Sequence, residues 1–215
     1  MRPKRIDIDV ADEDTDGYAN DDASGNAGAV TLSVTTPTDG LAHKVVITPS
    51  GSVSGSYTLV GTDADGKAVS ETLATDTTNA VTSSNYFKTL TAVTNATVGS
   101  ETIDVGWADE VASQTIPLDY YVSSPPVIQV NVTGTLNYDV EVTAQNPYPN
   151  LNDENAAPFA VAKQNDLFWV NDGNFTSKTA DLTDDLALEG MRALRIILNS
   201  YSSTAELQAF IIQPY

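Results

Sequence analysis

An all-β fold is what this sequence predicts: two β-sandwich or jelly-roll-like domains behind an acidic N-terminal extension. Short runs with an apolar residue at every second position recur along the chain, among them Tyr57/Leu59 and Leu136/Tyr138/Val140/Val142. Clusters of Gly, Asp, Asn and Pro separate these runs as turn residues do. Helix signals are almost absent, because β-branched residues dominate and no window holds an apolar i, i+3, i+4, i+7 stripe for three turns. At 215 residues the chain has room for two such domains of about 100 residues each.

The extension covers residues 1–27. It opens on a strand at Ile6–Val10 and runs into the acidic stretch Ala11–Asp22. The first domain, 28–112, holds strand candidates at Val30–Thr35, Lys44–Thr48, Ser56–Thr62, Ala68–Leu73, Phe87–Ala92 and Glu101–Val105. Asp63-Ala64-Asp65-Gly66 reads as a hairpin turn in which Asp65-Gly66 supplies the positive-φ positions. Ala108–Thr115 reads as a polar linker. The second domain, 116–215, begins at Ile116-Pro117-Leu118-Asp119, and Val127–Thr133 and Leu136–Val142 read as a hairpin about Gly134. Gln145–Leu186 is a long loop region rich in Asn, Asp and Pro, pinned by Phe159, Phe168, Trp169 and Phe175. Met191–Ser200 and Ala205–Gln213 return to strands.

Composition excludes several function classes. The 29 acidic residues against 10 basic give a formal net charge of −19, which repels phosphate backbones and argues against nucleic acid as a partner. No 18-residue apolar run and no secretory leader pattern is present, so neither a membrane span nor export is expected. The absence of cysteine removes disulfides and thiolate sites. His43 is the only histidine; its neighbours Ala42 and Lys44 offer no nucleophile or orienting carboxylate, and it reads as a strand-edge or turn residue rather than part of a triad. Phosphate-binding glycine loops are missing, and the expectation is a protein that is not an enzyme.

Asp12, Asp14, Asp16 and Gly17 reproduce the D-x-D-x-D-G spacing of a calcium loop. The twelfth loop position is Ala23 instead of a bidentate Glu, and no helical flank is present. Structural Ca²⁺, a solvated acidic loop and an inter-subunit contact therefore all stand as readings, and no other cofactor is expected. Arg2, Lys4 and Arg5 make the N-terminal tip locally basic, a candidate dock for an acidic neighbour whose removal should leave the domains folded. Pro147, Tyr148 and Pro149 mark the Asn/Pro-rich loop as a second interface candidate. Trp107 and Trp169 are expected to fill the two cores; the competing reading is a sugar-binding platform made with Tyr120, Tyr121, Tyr148 and Phe168.

Particular motifs carry a family resemblance. Val45-Val46-Ile47-Thr48-Pro49-Ser50-Gly51, the hairpin Gly61-Thr62-Asp63-Ala64-Asp65-Gly66 through Ser70-Glu71-Thr72, and Tyr86–Val93 form one half of the pattern. Pro117-Leu118-Asp119-Tyr120, Gly134–Val140, Phe168-Trp169, Arg192-Ala193-Leu194-Arg195 with Ser200, and Ile212-Gln213 form the other. From Leu41 to Tyr215 the sequence resembles a family of tailed-bacteriophage virion structural proteins. The resemblance implies a non-enzymatic particle component, made in the host cytoplasm and carried in the virion. Its first placement is a capsid decoration or cement protein that binds the major capsid protein and self-associates, with a trimer matching the threefold positions of capsid lattices. A neck or tail ring, or a fibre-attachment platform, is the alternative, and a glycan-binding host-contact module is a further one. These motifs are turns and strands, which carry over no catalytic residue.

Overall fold

The computed structural model describes residues 4–22, 28–95, 101–119, 124–148 and 162–213. Regular structure among them is almost all strand, as expected. In chain order the strands are β1 (Lys4–Asp9), β2 (Asp14–Asp22), β3 (Gly28–Ala29), β4 (Ala42–Pro49), β5 (Ser56–Thr62), β6 (Ala68–Ala74), β7 (Val81–Phe87) and β8 (Thr89–Asn95). They continue as β9 (Ile103–Ala112), β10 (Ile116–Pro117), β11 (Val127–Thr133), β12 (Leu136–Thr143), β13 (Val170–Asn171), β14 (Leu182–Asp185), β15 (Ala193–Tyr201) and β16 (Glu206–Ile212). Single 3-10 turns occur at Gln164–Asp166 and Gly173–Phe175. No helix among the described residues is long and apolar enough to cross a membrane. The chain divides into two compact units, residues 11–111 and residues 1–10 with 112–215.

In the 11–111 unit, β2 and β4 pair with β9 and β7 lies beyond β4, while a second sheet runs β3-β8-β5-β6. Alternation decides which face is inside. Val45 and Ile47 of β4, Ile103, Val105 and Trp107 of β9 and Tyr18 of β2 meet Tyr57 and Leu59 of β5 and Leu90 and Val93 of β8 in one core. The acidic stretch expected as a loop is strand β2, whose pairing with β9 passes through two irregularities at Asp14↔Trp107, Ala19↔Val105 and Asp22↔Ile103. Glycine permits this approach, since a Cβ at Gly106 would lie 1.9 Å from the Asp14 carbonyl. At Asp63–Gly66 the hairpin turn forms, but only Gly66 has positive φ (75°); the Asp63 carboxylate accepts from the amides of Asp65 (3.0 Å) and Lys67 (2.9 Å).

Two strand expectations in this unit differ from the structure. Val30–Thr35 is irregular, held by bonds from the Val30 amide to the Val93 carbonyl (2.9 Å), from the Ser33 amide (2.7 Å) and hydroxyl (2.9 Å) to the Tyr18 carbonyl, and from the Leu90 amide to the Thr35 carbonyl (2.8 Å). The expected Phe87–Ala92 strand is two strands, β7 and β8, because the chain turns at Lys88 and feeds opposite sheets. The expected linker at Ala108–Thr115 is also corrected. Strand β9 continues to Ala112, and Val111, Ala112, Ser113 and Thr115 are buried.

In the other unit one sheet runs β1-β16-β11-β14 and β12 pairs with β13 and β15, with β10 added to β15. The expected hairpin of β11 and β12 does not form. Instead β11 pairs with β16 from Val127↔Ile212 to Thr133↔Glu206, and β12 pairs with β15 from Leu136↔Tyr201 to Thr143↔Ala193. Two long antiparallel strands thus bend together and pass from one sheet to another at a shared corner. Gly134 (φ 77°) makes the bend on one strand, and the Ser202 amide donates to the Thr135 carbonyl (2.8 Å) to hold the other. Alternation specifies which residues face inward but not which strand lies alongside, so both arrangements satisfy the same pattern.

The separate 1–27 extension is likewise corrected. Strand β1 pairs with β16 from Lys4↔Ile211 to Asp9↔Glu206, placing residues 1–10 in this unit, whereas residues 11–27 fall within the range of the other. Ile8 is 2% exposed opposite Leu207, so Lys4–Asp9 is part of the fold and its removal strips a paired strand. Ile8→Ala is expected to lower unfolding free energy by about 2–4 kcal/mol, measured as a fall in the denaturant midpoint.

Candidate functional site

The residues singled out by sequence reasoning are spread over both units and do not form one cluster among the described residues. Lys4 and Arg5 lie on β1, with Arg5 on the face that carries Asp7: the Arg5 guanidinium donates to the Asp7 carboxylate at 2.8 Å, and its carbon sits 5.8 Å from the Phe210 ring centre. Arg2 and Pro149 lie outside the described residues. Pro147 is buried and Tyr148 half-buried in a tight turn closed by Asn146, whose carboxamide accepts from the Tyr148 amide (3.1 Å) and donates to its carbonyl (2.9 Å).

Asp12 precedes strand β2, and Asp14 and Asp16 lie on it, the Asp16 amide donating to the Asp14 carboxylate at 3.3 Å. Asp14 faces Asp16, and the Asp16 carboxylate accepts from the Asn20 carboxamide. Burial, reinforced by the Asp16 side chain, raises the Asp14 carboxyl above the ordinary carboxylate range. Among the described residues no group of three potential ligands is placed to hold a metal ion.

The long loop is pinned by polar contacts as much as by aromatic ones. Asp172, fully buried, accepts from the amides of Asn174 (3.0 Å) and Leu188 (3.2 Å). Asp139 accepts from the Ser177 amide (2.5 Å) and the Asn199 carboxamide (3.0 Å). Trp169 does not fill a core as expected: it is half-buried, donates from Nε1 to the Gln164 carbonyl (2.8 Å) and covers Arg195, whose guanidinium carbon is 4.7 Å from the ring centre. Arg195 in turn donates to Glu141 (2.6 Å) and Gln164 (3.0 Å). Beside this cluster Phe168 is 73% exposed. Phe159, Tyr120 and Tyr121 lie outside the described residues.

Trp107 is in the core, 3% exposed, edge-on to Tyr18 with ring centres 5.1 Å apart, and its Nε1 donates to the Asp12 carbonyl (2.9 Å). The ring pairs Tyr18–Trp107 and His43–Trp107 are interior, and neither offers a face to a sugar. The hydroxyls of Tyr18 and Tyr57 are buried without a hydrogen-bond partner among the described residues, each an uncompensated desolvation of about 1–3 kcal/mol.

His43 is fully buried on β4, not at an edge, and an orienting carboxylate is present after all in Asp39, four residues earlier. Nε2 lies 2.8 Å from the Asp39 carboxylate and Nδ1 lies 3.0 Å from the Ala108 carbonyl. Both ring nitrogens are thus within hydrogen-bond distance of an oxygen. The same carboxylate accepts from the amides of Ala11 (2.8 Å) and Leu41 (2.9 Å). Sequence reasoning missed this site because Asp39 belongs to an irregular segment whose return beside β4 has no local periodicity. Chemically, the ring is held as a strut, with both nitrogens engaged.

No family model matches the sequence, and no curated protein matches it. Among solved structures the chain is similar to the major capsid protein P2 of bacteriophage PM2, with 12% sequence identity and a TM-score of 0.22 over 97% of this chain and 96% of that one. A TM-score that low carries no argument about function.

Burial raises the Asp39 carboxyl, but the His43 bond and charge and the Ala11 and Leu41 amides outweigh it and leave the group below its ordinary value. A depressed folded value means Asp39 stabilises the fold above its unfolded pKa, and that contribution disappears as pH falls through the lower folded value. Asp39→Asn is expected to be less stable by about 2–4 kcal/mol at pH 7. The gap from the native chain should close below about pH 4, read from urea unfolding across pH.

Proposed function

We propose that this protein is a non-enzymatic structural component of a tailed-phage particle, placed on the capsid as a decoration or cement protein. The observation that supports the reading best is the use to which the family-like motif residues are put. Glu71 of the Ser70-Glu71-Thr72 motif accepts from the amides of Ser84 (2.7 Å) and Asn85 (2.9 Å), Asp63 closes its own turn, and Arg195 is engaged by Glu141, Gln164 and Trp169. The pattern's polar groups hold backbone and loops in place, as a scaffold requires. His43, the only histidine, has both nitrogens occupied, which supports the non-enzymatic part of the reading.

In that role each copy spans neighbouring capsid subunits, buries area on both and stabilises the shell against outward pressure from packaged DNA, because binding to the assembled state alone shifts its equilibrium. The exposed Phe168 beside the Trp169–Arg195 cluster supplies an apolar anchor on a pinned loop, a combination suited to a contact point. Net charge of −19 keeps a densely arrayed outer protein soluble.

Copy number tests this. Quantitative mass spectrometry of purified virions of the encoding phage, referenced to the major capsid protein, is expected to give on the order of hundreds of copies per particle. About six or twelve copies would move the protein to the neck or tail, and absence from the particle would overturn the virion reading.

A further inference from the structure

Strand β1 is the outermost strand of the β1-β16-β11-β14 sheet. One of its edges pairs with β16 in unbroken register, and among the described residues no strand pairs with the other. Natural sheets blunt such an edge with short strands, charged side chains, a bulge, a proline or an inward-pointing charge. The six residues of β1 contain no bulge and no proline but carry Lys4, Arg5, Asp7 and Asp9, so the order of these charges decides which strand the edge can accept.

The order of charges on this edge is self-complementary. Lys4-Arg5 forms a basic half and Asp7 and Asp9 an acidic half on either side of Ile6. Two such strands laid parallel in register bring like charges together. Laid antiparallel, a second copy must keep inward residues inward, which allows only registers that pair odd with odd and even with even positions. Centring on Arg5 sets Arg5 against itself, and centring on Asp7 sets Arg5 against Asp9 twice but places Asp7 against Asp7 between them. Centring on Ile6 sets Ile6 against Ile6 on the inner face and Arg5 against Asp7 twice on the outer face.

We propose that β1 is a pairing edge through which two copies of this chain join antiparallel about Ile6, with Arg5 of each copy opposite Asp7 of the other. The two side chains are each 54% exposed and already meet within one copy at 2.8 Å on the outer face, so they need only exchange partners. The Phe210 ring under Arg5 keeps the guanidinium over the sheet instead of in solvent. The result is one continuous sheet with four strands from each copy. Self-association is then twofold in its first step, where the lattice argument from sequence favours a threefold. The net charge of −19 per copy opposes the union at low ionic strength, while cross-strand neighbours about 5 Å apart lie inside the Debye length of roughly 8 Å at physiological salt. Moderate salt therefore favours the pair. The inference does not depend on where the protein works.

The test uses the purified full chain at physiological salt, with mass followed by sedimentation and native mass spectrometry across micromolar to sub-millimolar concentrations. The native chain is expected to dimerise. Arg5→Asp and Asp7→Arg are each expected to weaken the dimer by about tenfold or more, because each sets like charges opposite one another twice. Mixed in equal amounts, the two variants are expected to form a heterodimer. One copy then carries acids at both positions and the other carries bases at both, so each cross-strand pair joins opposite charges again, a recovery that misfolded variants could not show. A native chain that stays monomeric or forms a trimer would overturn the proposal, as would a dimer that both variants retain unchanged. Since no particle is involved, these failures leave the virion reading to be judged by copy number alone.

Discussion

Carboxylates that accept backbone N–H bonds tie turns, loops and strand segments of this molecule together. Asp39 ties Ala11 and Leu41, Asp63 ties its own turn, Glu71 ties the start of Ser84-Asn85, Asp172 ties Asn174 and Leu188, and Asp181 accepts from Val132 at 2.7 Å. The chain has no cysteine, and its described residues include no regular α-helix to satisfy amides internally. A hydrogen bond to an ionised acceptor contributes about 1.5–3 kcal/mol, more than a neutral pair, and an amide left unpaired in the interior would cost a similar amount. Acidity that reads in composition as a surface property is therefore partly a structural device.

That device explains how loops of low hydrophobicity remain ordered beside the sheets. Around Gln164 the carboxamide donates to the Ser113 carbonyl (2.8 Å) and accepts from Arg195, and the backbone carbonyl accepts from Trp169. One side chain thus connects the segment after β9, the loop and β15. Each element supplies the partner that another lacks, so the contacts are cooperative and the loss of one strands several groups. Phe168 can stay exposed on this framework because its neighbours, not its own burial, fix its position.

How far the sequence reveals this structure depends on which physical quantity each feature encodes. Alternation encodes the inward face, and β5, β6, β11, β12, β15 and β16 all lie where their patterns place them. It does not encode the neighbour, which is why β11 and β12 read as a hairpin although each pairs across the corner at Gly134. Strand β2 was illegible because its pairing rests on the absent side chain of Gly106 and on the indole of Trp107, both about ninety residues away, and not on its own apolar content. His43 was misplaced for the same reason, since its burial follows from Asp39 and Ala108, one in a segment without periodicity and the other in a stretch that reads as a linker. Features whose determinants are local could be recognised, such as the turn at Asp63–Gly66 with the positive φ of Gly66.

The same division between local and distant determinants bears on what the protein can do. The buried side chains of His43, Gln164 and Asp172 direct their polar atoms at backbone groups or at one another. A binding surface has a requirement of its own: its contacts must be held before the partner arrives, so that association does not also have to order the chain. Rigid strands and a loop fixed by buried carboxylates meet that requirement at little entropic expense. Under the two proposals made above, specificity would rest on groups that the fold leaves outward, the phenyl ring of Phe168 and the charged edge of β1.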